Sequence, residues 1–116
     1  MRLLHVTLNP EPCMESHKLY DEADQLKDAG KLDEAAGKLN ELLAADPNYT
    51  LAHSALAVIY TRLKKPDDAI RHAMRVCELE PNDPFSFTAL SVTFQRAGRI
   101  PEAEEAMARA RMMQGM

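Results

Sequence analysis

Apolar residues recur at helical spacing along almost the whole chain after residue 12. Within residues 13–29, for example, Leu19, Ala23 and Leu26 lie three or four positions apart and would share one face of an α-helix. Five further segments carry the same kind of periodicity: residues 33–45, 51–63, 67–79, 85–97 and 101–113. The pattern predicts an all-α fold.

Helix-breaking residues separate these segments. Gly30 and Gly98 stand just past two of them, where glycine commonly ends a helix, and Pro47 and Pro81 interrupt the chain between others. The connections are short, so we expect successive helices to be antiparallel neighbours. Before the first segment, Asn9-Pro10-Glu11-Pro12 opposes any regular element, and residues 1–12 are predicted to form a non-helical arm.

The segments repeat in pairs with a period of 34 residues. The residues in register are Gly30, Lys64 and Gly98 at the turn, and Ala35, Ala69 and Ala103 on the second helix. Small residues also recur on the first helix, at Ala23, Ala57 and Ser91. Small side chains on facing helices allow close packing, so we predict one domain over residues 13–116, with repeats at about 14–49, 50–83 and 84–116.

Composition and charge argue against several classes of function. Apolar residues make up 46% of the chain and charged residues 28%, which is typical of a globular protein, and the net charge of −4 argues against non-specific binding to nucleic acid. No apolar run reaches the length of about 18 residues that a membrane span needs. The N-terminus does not resemble a secretory signal, and Cys13 and Cys77 are far apart, so we expect free thiols and a cytoplasmic protein.

Signals for catalysis or cofactor binding are weak. Cys13 and His17 are four positions apart and could meet one metal ion, but no further ligand pair has metal spacing. His53 is expected to pack by its ring and His72 to be solvated. No phosphate-binding loop or nucleophile motif is present, so we predict no enzyme and no cofactor.

One family combines this period with these residues. The second repeat reads His53-x-x-Leu56-Ala57-x-x-Tyr60, then Ala69-x-x-x-Ala73, then Pro81. The third reads Phe87-x-x-Leu90-Ser91-x-x-Phe94, then Ala103-x-x-x-Met107. Both resemble the tetratricopeptide repeat, and the resemblance covers about residues 14–116. It implies a right-handed α-solenoid of three antiparallel helix pairs.

The resemblance also implies a concave groove lined by the first helix of each pair, which would take a peptide or a helix of a protein partner. By register, the candidate binding residues are Tyr20, Asp24, Leu51, Val58, Arg62, Phe85, Val92 and Arg96. Apolar residues on such a face usually mark a contact site, and the arginines could meet an acidic group. Two alternatives remain open: residues 1–12 fold back into the groove, or the apolar ladder is half-buried core.

Some members of the family grip the C-terminal carboxylate of heat-shock chaperones with a clamp of Lys, Asn and Arg. The matching positions here are Tyr20, Asp24, Ala55, Phe85 and Ala89, none of which can make those contacts. We therefore expect an adaptor or chaperone-like module that binds an apolar segment. The alternative is a subunit that self-assembles, as a weak homo-oligomer, through C-terminal methionines such as Met107 and Met113.

Overall fold

The computed structural model describes residues 12–115, with side chains from Met14 onwards. These residues form six helices and no strand: α1 (Pro12–Asp28), α2 (Leu32–Ala45), α3 (Thr50–Arg62), α4 (Pro66–Leu79), α5 (Pro84–Arg96) and α6 (Ile100–Gly115). α1 begins at Pro12, the last residue of the predicted arm, and a first-turn proline loses no hydrogen bond. Residues 1–11 lie outside the described residues.

The same turn closes the first helix of each pair. Its central residue has a positive φ: 83° at Gly30, 64° at Lys64 and 80° at Gly98. The next amide then donates to a carbonyl five residues back, as in a Schellman motif. These bonds are Lys31 N to Leu26 O at 2.9 Å, Lys65 N to Tyr60 O at 2.8 Å and Arg99 N to Phe94 O at 2.8 Å. The turn therefore depends on backbone conformation, and two repeats place glycine there.

The chain divides into two compact units, one ending at Tyr49 and the other beginning at Thr50. In the first unit α1 packs against α2. In the second, α3 packs against α4 and α5 against α6, while α5 also contacts α4 and α3.

Small residues do bring the helices of the first unit together. Ala23 of α1 and Ala35 of α2 are both fully buried, beside Leu39 and Leu42. A polar contact closes one end of the pair: the buried Ser16 hydroxyl donates to the Asp46 carboxylate at 3.2 Å. Since Asp46 is the C-cap of α2, this bond ties the beginning of α1 to the end of α2.

A cluster of buried side chains from α3, α4, α5 and α6 lies in the second unit. Its members are Ala57, Ile70, Ala73, Cys77, Phe87, Leu90, Phe94, Ala103, Ala106 and Ala110, with Met113 packed against them. Ile70 and Cys77 of α4 are buried here, whereas the residues in register on α6, Glu104 and Arg111, are exposed. α6 thus presents polar residues where α4 presents apolar ones.

Candidate functional site

A groove of about 460 Å³ lies among α3, α4 and α5 of the second unit. Its volume is within the range of small-ligand and side-chain pockets. It is lined by Ser54, Ala57, Val58, Thr61, Arg62, Ala73, Val76, Ser86, Ala89, Val92, Thr93 and Arg96. Most of these side chains are small or apolar, so the groove suits aliphatic groups better than polar ones.

The floor and the walls of the groove come from different helices. Ala73 and Val76 of α4 are buried and form the floor, while Val58 of α3 and Val92 of α5 remain 46% and 38% exposed. Ala73 stands in register with Leu39 and Met107 of the other repeats. Because alanine is the smallest of the three, the second repeat leaves space where the others place a long side chain.

The charge in the groove has one sign. Among the residues that line it, the charged ones are Arg62 in the last turn of α3 and Arg96 in the last turn of α5. A second depression of about 270 Å³ shares Thr61, Thr93 and Arg96 with the groove and adds Lys64. One end of the groove is therefore basic, although the chain as a whole is acidic.

Four of the eight predicted binding residues lie together in this groove: Val58, Arg62, Val92 and Arg96. Leu51 and Phe85 belong to the same helices and are 54% and 71% exposed, but they are not part of its lining. They occupy the first turns of α3 and α5, ahead of the valines.

Tyr20 and Asp24 belong to the first unit, and each has a contact inside it. The Tyr20 ring lies 6.1 Å from the Tyr49 ring, centroid to centroid. The Asp24 carboxylate lies 3.3 Å from the Lys27 ammonium, in a partly exposed pair within α1. Such a solvent-accessible pair contributes little stability, so Asp24 would lose little by exchanging Lys27 for another partner.

The groove also contains residues that sequence reasoning missed, above all Ala73 and Val76. Sequence reasoning assigned the lining to the first helix of each pair, whereas α4 is a second helix. The signal was present in the register of Ala73 with Leu39 and Met107, because a small residue in place of a large one opens a cavity.

The prediction of a solvated His72 is wrong. His72 is half-buried, and its Nδ1 atom lies 2.9 Å from Nδ1 of His53, whose ring is buried as predicted. The His72 ring also stacks on Tyr60, with centroids 5.7 Å apart. Burial, helped by the charges of His53 and Arg71, lowers the pKa of His72 to about 4. The imidazole is therefore neutral at pH 7.

Within residues 14–115, no three His, Cys, Asp or Glu side chains are placed to hold a metal ion. The candidate pair of Cys13 and His17 cannot be followed further, because the Cys13 side chain lies outside the described part. His17 Nε2 lies 3.6 Å from the Asp21 carboxylate. No helix in the described part of the chain is both long and apolar enough to cross a membrane.

Three helix pairs with one repeated turn define a helical-repeat protein. Residues 20–84 match the family model of the tetratricopeptide repeat, and the chain belongs to this family. The predicted family and fold class are confirmed.

Solved structures share the fold. The second repeat domain of Spaghetti (RPAP3), solved bound to the HSP90 peptide SRMEEVD, has a TM-score of 0.75 at 17% identity, covering 84% of this chain and 91% of that one. MamA of Desulfovibrio magneticus RS-1 has a TM-score of 0.75 at 19% identity, covering 84% of this chain and 55% of that one. At these identities the likeness establishes the fold alone.

Curated relatives match over shorter stretches. The TPR repeat-containing thioredoxin TTL4 of Arabidopsis thaliana is 37% identical over 68 residues, which cover 58% of this chain and 9% of that protein. The TPR repeat-containing thioredoxin TDX of Oryza sativa subsp. japonica is 46% identical over 44 residues, which cover 38% of this chain and 14% of that protein. The chain therefore spans a small part of the curated relatives that it matches.

Proposed function

We propose that this chain is a non-catalytic protein-interaction module, an adaptor or a chaperone-like binder of the cytoplasm. Its ligand is an apolar peptide or helix segment that enters the groove of the second unit. The observation that carries the proposal is the apolar groove among α3, α4 and α5, whose walls expose Val58 and Val92. Side chains of this kind usually lie in a core, and their exposure around a cavity is typical of a contact site.

The size of the groove limits what can enter. A volume of about 460 Å³ holds one or two aliphatic side chains together with the backbone that carries them. Val58 and Val92 would lose their remaining contact with water when such a side chain docks, and buried apolar surface stabilises a complex by about 25 cal/mol per Å² before ordering costs. We therefore expect binding of moderate affinity, anchored by a Leu, Ile or Val of the partner.

The RPAP3 domain supports a peptide ligand in general terms, since it was solved with an HSP90 peptide. Its mode of binding is not carried over, because the positions of the family's carboxylate clamp hold Tyr20, Asp24, Ala55, Phe85 and Ala89 in this chain. The proposal therefore relies on apolar contact in the groove and not on that clamp.

A selection from a displayed library of random twelve-residue peptides tests this function. Wild-type protein should enrich peptides with an aliphatic residue, whereas the double variant Val58→Glu/Val92→Glu should enrich none. The matched control is Met74→Glu/Met112→Glu, which adds the same charge at two exposed apolar residues outside the groove lining. If the groove variant still selects the wild-type peptides, the groove is not the binding surface.

Self-assembly is a second candidate, because Met112 on α6 is 66% exposed. Met113, by contrast, packs against the core of the second unit and is not free to form a seam. Light scattering of wild type and Met112→Lys decides this candidate. An oligomer that dissociates in the variant supports it, and equal masses reject Met112 as the contact.

A further inference from the structure

We propose that the groove selects a segment that carries an acidic residue beside its apolar anchor, and that Arg62 and Arg96 bind this carboxylate. The inference rests on the proposed function, since it names the second recognition element of the same groove. The occupant is therefore a stretch of a partner protein with an aliphatic residue and an Asp or Glu at a fixed distance from it.

The charges around the groove favour such a ligand. The chain has 18 acidic and 14 basic residues, yet the groove lining contains two arginines and no carboxylate. Lys64 in the adjoining depression adds to the same end. The two guanidinium groups that line this cavity repel each other. A carboxylate of the ligand would offset that repulsion and would accept charge-assisted hydrogen bonds from both arginines.

Three other arginines of the second unit pair with a carboxylate close to them in sequence. The Arg71 guanidinium lies 2.6 Å from Asp68, that of Arg75 lies 2.9 Å from Glu78, and that of Arg99 lies 2.8 Å from Glu102. In each pair the carboxylate is three residues away on the same helix or its flank. Neither Arg62 nor Arg96 has an acidic residue three or four positions away in the sequence. The residues at those positions are Val58, Ile59, Lys65 and Pro66 for Arg62, and Val92, Thr93, Arg99 and Ile100 for Arg96.

The helix ends alone do not explain these two arginines. A cation in the last turn of a helix interacts favourably with the helix dipole, so each arginine has a structural use. The equivalent position at the end of α1 is nevertheless Asp28, which opposes that dipole. The repeat folds without a cation at this site, and the arginines occur where α3 and α5 border the groove.

The positions of the valines and arginines on α3 and α5 predict the distance between the aliphatic and the acidic residue of the ligand. Arg62 lies four residues after Val58 on α3, and Arg96 lies four residues after Val92 on α5. Four residues of helix rise by about 6 Å, so the carboxylate should lie about 6 Å along the groove from the apolar anchor. In an extended peptide this distance corresponds to about two residues. We therefore expect the acidic residue to stand two positions from the aliphatic one.

The selected peptides of the library experiment provide the test. Wild-type protein should enrich Asp or Glu two positions from the aliphatic residue, and Arg62→Gln/Arg96→Gln should keep the aliphatic preference but lose the acidic one. For the most enriched peptide, fluorescence polarisation should show about tenfold weaker binding when its Glu is changed to Gln. The same peptide change should have no effect on the double variant, because the two sites are then uncoupled.

The outcomes separate this inference from the proposed function. Aliphatic enrichment without an acidic preference overturns the role of the arginines and leaves the groove as the binding site. A selection with neither preference overturns both. The control Arg71→Gln/Arg75→Gln removes the same charge outside the groove lining and should bind the peptide like wild type. If the control variant binds the peptide as weakly as the Arg62→Gln/Arg96→Gln variant, net charge explains the weaker binding, and the inference is overturned.

Discussion

The hydroxyl of Ser91 donates a hydrogen bond of 2.7 Å to the backbone carbonyl of Ala103, across the interface between α5 and α6. Both residues are almost completely buried. Small residues recur at these positions in each repeat and allow the two helices to pack closely. In the third repeat the close packing also allows the hydrogen bond from Ser91 to Ala103. The first two repeats have Ala23 and Ala57 at the position of Ser91.

We expect Ser91→Ala to destabilise the protein by about 1 kcal/mol, which is the usual net value of a hydrogen bond. The substitution creates no clash, because alanine is accepted at the same site in the other repeats. Urea denaturation of the folded chain measures the change. Ser54→Ala on α3 is the control for replacing serine in a helix, since Ser54 is half-exposed in the groove wall. Equal stability of the two variants would contradict a stabilising role for the Ser91 hydrogen bond.

The turn residue of the second repeat is a lysine, although glycine is preferred in this backbone conformation. Lys64 has a φ of 64°, where Gly30 and Gly98 stand in the other repeats. A residue with a Cβ is strained in this region, whereas glycine is not. We expect Lys64→Gly to raise the free energy of unfolding by about 0.5–1 kcal/mol, after allowance for the greater freedom of glycine in the unfolded chain. Thermal and urea unfolding would show the gain.

The reverse substitution supplies the control. No atom lies within 4 Å of a Cβ built on Gly30, Gly98 or Gly37, so contacts do not distinguish these sites. Gly30→Ala and Gly98→Ala should destabilise by about 1 kcal/mol because of their positive φ. Gly37→Ala, inside the exposed face of α2, should stabilise by about 0.5–1 kcal/mol. The same sign at all three sites would contradict the conformational explanation.

The helices and the repeat could be predicted because the same types of residue recur every 34 positions and give the same backbone turn in each repeat. Gly30, Lys64 and Gly98 share a conformation, and the helix ends follow from it. The groove could be predicted only in part, because its depth comes from the difference between repeats. Ala73 makes the floor where Leu39 and Met107 would fill it. A pattern shared by all three repeats does not reveal a feature that one repeat alone contains.

The partner of His72 could not be predicted for a different reason. His53 and His72 are 19 positions apart, on different helices, and neither position repeats a histidine in the other units. Only the packing of α3 against α4 brings the two imidazoles together. A single polar residue in a helical pattern predicts a solvated side chain, whereas the facing helix supplies a hydrogen-bond partner and Tyr60 a stacking ring.

His72 should make the stability of the protein depend on pH. Its pKa is lowered by burial from 6.5 to about 4, so between these values the unfolded chain binds a proton that the folded chain does not. The stability is complete above pH 6.5 and is lost as the pH falls towards 4. The difference between the two pKa values would correspond to about 3 kcal/mol for a fully buried group. We expect about 2 kcal/mol, because solvent partly screens the half-buried ring. Urea denaturation at a series of pH values should show a shallower dependence for His72→Phe, which keeps a ring on Tyr60.

Three neighbouring groups affect the size of this pH dependence. His53 and Arg71 lower the pKa of His72 further, whereas Asp68 opposes the shift. His17→Gln is the control, because His17 is exposed on α1 beside Asp21 and its replacement should leave the steep dependence in place. If wild type and His72→Phe lose stability in parallel below pH 6.5, His72 is not the group that titrates.

Cys77 should be nearly unreactive in the folded protein. Its thiol is buried in the core and donates to the Ser86 carbonyl at 3.3 Å, and burial raises its pKa from 9.0 to about 11. Alkylation requires the thiolate, whose fraction falls tenfold for each unit of pKa. In a Cys13→Ser background, iodoacetamide at about pH 8 should therefore modify Cys77 roughly a hundred times more slowly than it modifies the same chain in urea. The Cys77→Ser variant shows the rate of side reactions. Equal rates in the presence and absence of urea would mean that Cys77 is accessible and that the core between α4 and α5 is not packed as described.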